Sequence, residues 1–485
     1  MISQEENELL TRVGPGTPCG ELMRRYWHPI YPDALLRENP VRKVRILCED
    51  LTLFRDRTGK LGLVQERCPH RCVSLHLGIP DERGLRCCYH GWLFDAQGRC
   101  LDQPLEPPTL GLKDKIRIKA YPVQEMGGLI WAYLGPAPAP LLPRWNLFVR
   151  PDGFRQILAH QLPCNWLQAM ENRGDLGHSV YLHGATFKYA RERKGLAHED
   201  PSARYNATNA DFDAMRARGA YVKWKPIYNE FGFTKGSMES DKSEDSRSWT
   251  IGQNPILFPY LLAFGPQEGD QRIRRLYQIG VPIDDTHTWH LQYCCYVFPK
   301  GVEVPKQDAI PYRELPITDE RGELILDYVL AQDMAAWYQQ GEITDRTQEN
   351  LGYSDRLIVA YRQMLRKQID IVKNGGEPMN VFRDPAKIES PELRIPGNEV
   401  GGAAPTRSTV LGRSIRYRDA YHKQAPDGGL YIDEDVDGFC PDRELILELY
   451  RQAETVQAAR ASGAGSAEGT GPTDPEARRR ERDDR

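Results

Sequence analysis

The order of apolar and polar positions splits the chain into a front part written in strands and a middle part that mixes strands with helices. In VRKVRILCEDLTLF (41–54) and KLGLVQERC (60–68), apolar residues recur at strand spacing around a turn at Arg57-Thr58-Gly59. GLRCCYHGWLFDAQGRCLD (84–102) reads as another hairpin with Ala96-Gln97-Gly98 at its tip, and GGLIWAYLG (127–135) as a short strand closed by Gly135-Pro136. The Pro-rich PAPAPLLPRW (136–145) marks a joint. A helical stretch follows at NWLQAMENRGDLGHSVYLHG (165–184), then charged residues over 188–220 that read as a surface excursion. Apolar-rich runs at 221–236, 246–265, 272–283 and 288–298 predict an antiparallel sheet, and helix-period spacing returns in 322–340 and 355–375. From about Ala458 the composition of Gly, Ala, Ser and Pro, then Arg and Asp, predicts disorder. The whole is expected to be α+β: a small β domain, then a larger antiparallel sheet with helices against it. The divisions fall at 1–26 (helical segment), 27–140, 141–390, 391–457 (extension) and 458–485 (tail).

Composition narrows the function classes. With 485 residues, 40% of them hydrophobic, the chain has material for several domains. No run approaches the ~18 apolar residues of a membrane span. The start, MISQEENELL, is acidic and has no charged-then-apolar leader, which argues against export and for the cytoplasm. A net charge of −4 argues against a general nucleic-acid binder.

An odd count of 11 cysteines in an unexported chain argues against a disulfide framework. Five of them lie between Cys68 and Cys100, together with His70, His76 and His90, and such crowding points to metal. The sharpest pattern is Cys68-Pro69-His70, then Cys87-Cys88-Tyr89-His90. A structural Cys2His2 zinc site, a buried thiol cluster and a Rieske 2Fe-2S centre are all open to it. Each loop mixes one thiolate with one imidazole, and that mixture favours the Rieske reading.

A second pattern, Glu-Asn-Arg-Gly-Asp-Leu-Gly-His-Ser-Val-Tyr-Leu-His over 171–183, sets His178 and His183 five residues apart. On an ideal helix such residues point about 140° apart and could not share one metal, so the helix must end or bulge here. The bland alternative is two histidines in ordinary helix packing. Asp175, three residues before His178, could accept a ring N–H or relay an electron. A facial set of two histidines and a carboxylate needs a distant third ligand, and spacing leaves Asp327, Asp333, Asp345 and Asp355 open. His287 and His290, three apart on a strand, point to opposite faces and read as structural.

The motif CPHRCVSLHLG…RCCYHGWLFD resembles the Rieske domain of ring-hydroxylating oxygenases. The likeness extends over about residues 5–385. It is closest to the phthalate-dioxygenase-like subgroup, which includes dehydrodivanillate O-demethylases, through ELLTRVGPGTPCGELMRRYWHP and VPIDDTHTWH. The resemblance implies an N-terminal Rieske β domain followed by a catalytic domain of helix-grip type. It assigns Cys68, His70, Cys87 and His90 to a 2Fe-2S cluster, with Cys88 a neighbour and Cys72 packing locally. It assigns His178, His183 and Asp333 to a mononuclear Fe(II), with Asp345 as the fallback, and makes Asp175 the bridge to His90 of a neighbouring subunit. It also implies a homotrimer. The sequence holds no nicotinamide or flavin signature, so a separate NAD(P)H reductase, with or without a ferredoxin, is expected to supply electrons. The expected activity is O2-dependent oxidation of an aromatic acid, by O-demethylation or hydroxylation of a methoxylated carboxylate or by cis-dihydroxylation of a phthalate-like acid. A plain electron carrier is the competing class. Lys188, Arg191 and Arg274 are candidate substrate anchors, weighed against an ordinary charged surface for each.

Overall fold

A computed structural model describes residues 1–175, 177–193, 195, 217–243, 250–251, 254–264, 273–326, 328–388 and 441–461. Asp327, most of the 188–220 excursion, the 391–440 part of the extension and the tail beyond Ala461 lie outside the described residues.

Two short helices come first, α1 (Gln4–Thr11) and α2 (Pro18–Met23). Each is started by a hydroxyl: Ser3 accepts from the N–H of Glu6 and Thr17 from that of Gly20, both at 3.1 Å. Eleven strands follow: β1 (Trp27–Pro32), β2 (Val41–Ile46), β3 (Glu49–Arg55), β4 (Leu61–Gln65), β5 (Ile79–Asp81), β6 (Gly84–Arg86), β7 (Leu93–Phe94), β8 (Cys100–Asp102), β9 (Ala120–Tyr121), β10 (Val123–Met126) and β11 (Leu129–Tyr133). They form three sheets, β1-β11-β10, β2-β3-β4-β9 and β5-β6-β7-β8. The turn at 57–59 is made by Asp56, whose Oδ1 accepts from the N–H groups of Thr58 and Lys60 at 2.9 Å. The run 41–54 is not one strand but two. Leu47 and Cys48 turn it with φ of 47° and 64°, a left-handed pair that carries no Gly or Asn signal. Contacts across the molecule pin that turn, because Leu47 N–H donates to Pro282 and Cys48 N–H to Ile283.

A fourth, nine-stranded sheet contains β12 (Phe154–Leu162), β13 (Val222–Asn229), β14 (Gly232–Glu239), β15 (Thr250–Ile251), β16 (Ile256–Leu257), β17 (Leu261–Phe264), β18 (Arg274–Pro282), β19 (Thr288–Tyr296) and β20 (Tyr312–Glu314). Its order is β13-β14-β16-β17-β18-β19-β12-β20, with β15 on β14. The pairs are antiparallel as expected, except that β20 joins β12 in parallel. Three residues are too short for β20 to show a period in the sequence.

Helices α3 (Trp166–Gly174), α4 (Val329–Gln339), α5 (Arg356–Lys373) and α6 (Arg443–Ala461) complete the frame. One core packs Ala169 of α3 against Leu330, Ala331, Met334 and Trp337 of α4. The predicted helix over 322–340 begins only at Val329; before it, Leu324 bridges back to Thr318. The apolar stripe of α5 (Leu357, Ala360, Tyr361, Met364, Leu365, Ile369, Val372) is buried, at the spacing expected of one helix face. α6 sets Ile446, Tyr450 and Ala453 on the far end of the sheet, against Phe154, Leu158, Cys294 and Tyr296. It runs four residues into the expected tail, where Ala458, Ala459, Arg460 and Ala461 are good helix formers. Among the described residues no helix is long and apolar enough to cross a membrane.

Candidate metal centres

Two loops at one end of the front domain carry Cys68, His70, Cys87 and His90. The first joins β4 to β5 and the second joins β6 to β7. They close by the same backbone pattern. Cys68 N–H donates to Val73 and Cys72 N–H returns to Cys68, both at 2.9 Å; Cys87 N–H donates to Trp92 at 2.8 Å and Gly91 N–H returns to Cys87 at 3.0 Å. Each closure needs a left-handed residue four after the first cysteine, supplied by Cys72 (φ 58°) and Gly91 (φ 75°). Cys72 therefore does not pack locally as expected: the turn geometry holds it exposed.

Two pairs of donors meet between the loops, thiol with thiol and imidazole with imidazole. Cys68 and Cys87 are buried, and their thiols are close enough to share a hydrogen bond. Burial pushes the Cys68 thiol up to about 12, against the N–H groups of His70 and Arg71 that point at its sulfur. The His70 and His90 rings stand edge to face, 4.4 Å between centroids. Trp92 is buried and stacks on His70 at 4.6 Å, so it both fills the core and orients the ring. His70 Nδ1 is buried with no hydrogen-bond partner among the described residues. Two thiols and two imidazoles without other employment fit a cluster whose two irons differ in ligand type. Cys88 is exposed.

The second site forms where three helical segments meet the large sheet. α3 stops at Gly174, and a short turn His178–Val180 leads into a π-helical segment Tyr181–Thr186 and then a helix Phe187–Arg193. A π-helical turn is wider than an α-helical one, so the segment that carries His183 turns it by less per residue and brings it back toward His178 in the turn before. That resolves the 140° problem: His178 and His183 rings lie 5.1 Å apart. Asp333 on α4 comes between them, with its Oδ1 3.4 Å from His178 Nε2 and 3.2 Å from His183 Nε2. One ligand atom from each residue lies within 4.8 Å of the other two. His183 and Asp333 are buried, His178 partly so. Gln332, fully buried, sits 3.0 Å from His183 Nδ1 through its Oε1 and is itself held by Leu326 O. This fixes the tautomer so that the Nε2 lone pair of His183 faces Asp333, and the donor set fits a divalent ion of the iron type.

Asp175 is within reach of this site, but not on a shared helical face as expected. It is the extended residue after α3, where its Oδ1 accepts from Gly177 N–H at 2.6 Å and its Oδ2 from His178 N–H at 3.3 Å. Its carboxylate also lies 3.3 Å from His178 Nδ1. Burial raises its pKa, but the His178 ring and those N–H groups outweigh burial and hold it below the usual carboxylate range.

The other candidates separate. Asp345 is exposed and accepts from Thr347, Asp355 closes a turn onto Gly352, and Asp327 lies outside the described residues. His287 is exposed beside Asp284, while His290 is buried on β19, so the two do not converge. Arg274 starts β18 at the end away from the site, and the side chains of Lys188 and Arg191 lie outside the described residues. Sequence reasoning missed Gln332 and Glu171. Glu171 of α3 accepts from Arg346 and Arg362, all three buried, and ties α3 to α5 beneath the second site. A buried acid and a Gln next to the chosen Asp carried no motif of their own.

Residues 26–122 match the family model described as the Rieske [2Fe-2S] domain. The 5,5'-dehydrodivanillate O-demethylase oxygenase subunit of Sphingobium sp. (strain NBRC 103272 / SYK-6) is 40% identical over 80% of this chain and 85% of its own length. The tert-butanol monooxygenase / tert-amyl alcohol desaturase oxygenase subunit of Aquincola tertiaricarbonis is 38% identical over 79% and 78%. Among solved structures, the caffeine-bound NdmA QL mutant of Pseudomonas putida CBB5 shares the fold with a TM-score of 0.52, covering 74% of this chain and 94% of its own at 19% identity.

Proposed function

Because the chain belongs to the Rieske non-heme iron oxygenases, as an oxygenase component with a 2Fe-2S cluster and a mononuclear iron, we propose that it oxidises an aromatic acid, by O-demethylation or hydroxylation of a methoxylated carboxylate. The observation that carries this reading is the 40% identity to an O-demethylase oxygenase subunit over 80% of this chain. Demethylation of an aryl methyl ether takes up O2, two electrons and two protons and releases a phenol, formaldehyde and water.

In this reading Cys68, His70, Cys87 and His90 hold the cluster, and His178, His183 and Asp333 hold the iron. When bound, the cluster supplies single electrons and the iron supplies the place where O2 and substrate react. The chain's own residues do the positioning. Gln332 sets the His183 tautomer, and Glu171 with Arg346 and Arg362 keeps α3 fixed so that Asp175 stays beside His178. Asp175 remains ionised and about a fifth exposed, which suits a carboxylate that also accepts from His90 of a neighbouring subunit in a homotrimer. A separate reductase, with or without a ferredoxin, feeds the cluster in the cytoplasm.

The purified protein, a surrogate reductase, NADH and a panel of methoxybenzoates test the reaction. Formaldehyde in step with NADH use is expected; NADH use with no oxidised product from any aromatic acid would refute it. For the subunit arrangement, inactive His90→Ala and His178→Ala chains co-assembled should regain partial turnover. Mixed assemblies that form and stay dead rule out transfer between subunits. Asp175→Asn should keep both metals while transfer to the iron falls about 100-fold; transfer at the normal rate removes the relay role.

A further inference from the structure

Arg173 is buried in the catalytic half of the molecule and makes no ion pair among the described residues. Its Nη1 donates to Tyr260 O and lies 2.9 Å from Met170 Sδ, while Nε and Nη2 find no partner. The guanidinium rests over Gly280 of β18: a Cβ there would stand 3.5 Å from Nη2 and 3.8 Å from Nη1. Gly280 is directly opposite His290 of β19, so the two share one sheet face, and the space a side chain would fill at Gly280 is taken by Arg173.

The surroundings are rich in unused polar groups. His290 is fully buried, and neither ring nitrogen has a partner among the described residues. Gln292, two residues on along the same face, has an unpartnered Nε2. Trp337 packs on His290 at 5.3 Å, has an unpartnered Nε1, and sits one helical turn after Asp333 on α4. Native interiors rarely leave such groups unsatisfied, and an uncompensated buried cation is costlier still. Burial pushes the Arg173 guanidinium down to about 9, against the opposing pull of Tyr361 and of the Asp333 carboxylate, which offsets its charge only in part. Water could satisfy the donors but would not neutralise the charge.

We propose that Arg173, with His290, Gln292 and Trp337 around it, binds the carboxylate of the substrate inside the catalytic domain and thereby sets the preference for acids. The assignment rests on the aromatic-acid reading and deepens it. It also moves the anchor from Arg274, which starts β18 six residues, or about 20 Å, before Gly280.

The test is calorimetric binding of 3- and 4-methoxybenzoate, and of the matching neutral methoxybenzamides, to the metal-loaded enzyme. Wild type should prefer the acids. Arg173→Gln should weaken the acids about 100-fold, the scale of a lost charge-assisted pair, and the amides less than about threefold. In turnover the same variant should raise KM for the acids and leave kcat nearly unchanged. Gly280→Val, which keeps the cation but presses on it, is the second variant should Arg173→Gln fail to fold; it should show the same selective loss. Equal affinity of wild type for acid and amide overturns the anchor, and so does equal loss of both in either variant. Selective binding of the acids without formaldehyde would instead sink demethylation and leave the anchor standing. Formaldehyde from acids and amides at equal KM would do the reverse.

Discussion

The two metal-binding regions are built by opposite means. The cluster loops place four donors within 23 residues, and their shape comes from backbone hydrogen bonds repeated in each loop, 68 to 73 and 87 to 92. The second site draws His178 and His183 from a π-helical break and Asp333 from a helix 150 residues away. Its shape depends on side chains that keep helices in place: Gln332 on His183, and Glu171 between Arg346 and Arg362. A site made from turns can tolerate change elsewhere in the chain, whereas a site made from packed helices inherits the stability of that packing.

The largest test of this contrast is to empty each site separately. Asp333→Ala should drop turnover below about a thousandth, yet leave the red-brown colour and the cluster's EPR signal intact. Cys87→Ser should also stop turnover but abolish the colour and retain the mononuclear iron. Loss of both metals in either variant would mean the two regions are not independent.

Next comes Glu171→Gln, which leaves the buried Arg346 without its carboxylate and Arg362 with Glu349 alone, and should cost about 3–5 kcal/mol in chemical denaturation. Burial raises the Glu171 pKa, but Arg346 and Arg362 outweigh it and lower it overall. A lowered folded-state pKa means that stability is present at neutral pH and is lost as pH falls through and below the ordinary carboxylate range. The wild-type protein should therefore shed the mononuclear iron on acidification with a steeper pH profile than Glu171→Gln, with the cluster loops little affected by the substitution. An identical acid profile in the two proteins would sever the second site from this network.

Gln332→Ala should weaken iron binding about 10–100-fold, read by metal competition, because His183 loses the partner that fixes its ring. Unchanged affinity would show that packing alone orients His183. The smallest effect is expected in the loops. Cys72→Gly removes a left-handed non-glycine residue, and the relief, roughly 1 kcal/mol less the entropy glycine adds to the unfolded chain, should raise stability by about 0.5 kcal/mol. The cluster spectrum should not change; a shifted spectrum would give Cys72 a role beyond the turn.

The same contrast explains what could be read beforehand. Cys68, His70, Cys87 and His90 stand in two short loops, so their chemistry is visible in a linear pattern, and the hairpin at 96–98 announces itself by Gly98. The helix stripe of α5 was equally legible, since its apolar residues follow the helix period. The turn at Leu47-Cys48 was not, because those residues are held there by Pro282 and Ile283 rather than by their own preferences. Nor was the role of Arg173, a charged residue that a sequence reader places on the surface by default.

By itself, then, the sequence determined the candidate ligand types, the two loops that carry the first four of them, the need for a break between His178 and His183, and the strand and helix periods of both halves. These are local properties, carried by residue chemistry and by spacing along one element. Only the tertiary structure decided that the break is a π-helix and that Asp333, with Gln332 beside it, meets the two histidines. It also decided that Asp175, closing α3, accepts from the N–H groups of Gly177 and His178, and that the Arg173 guanidinium lies over Gly280. Such choices depend on which helix crosses which face of the sheet, and so on the packing of residues more than a hundred positions apart.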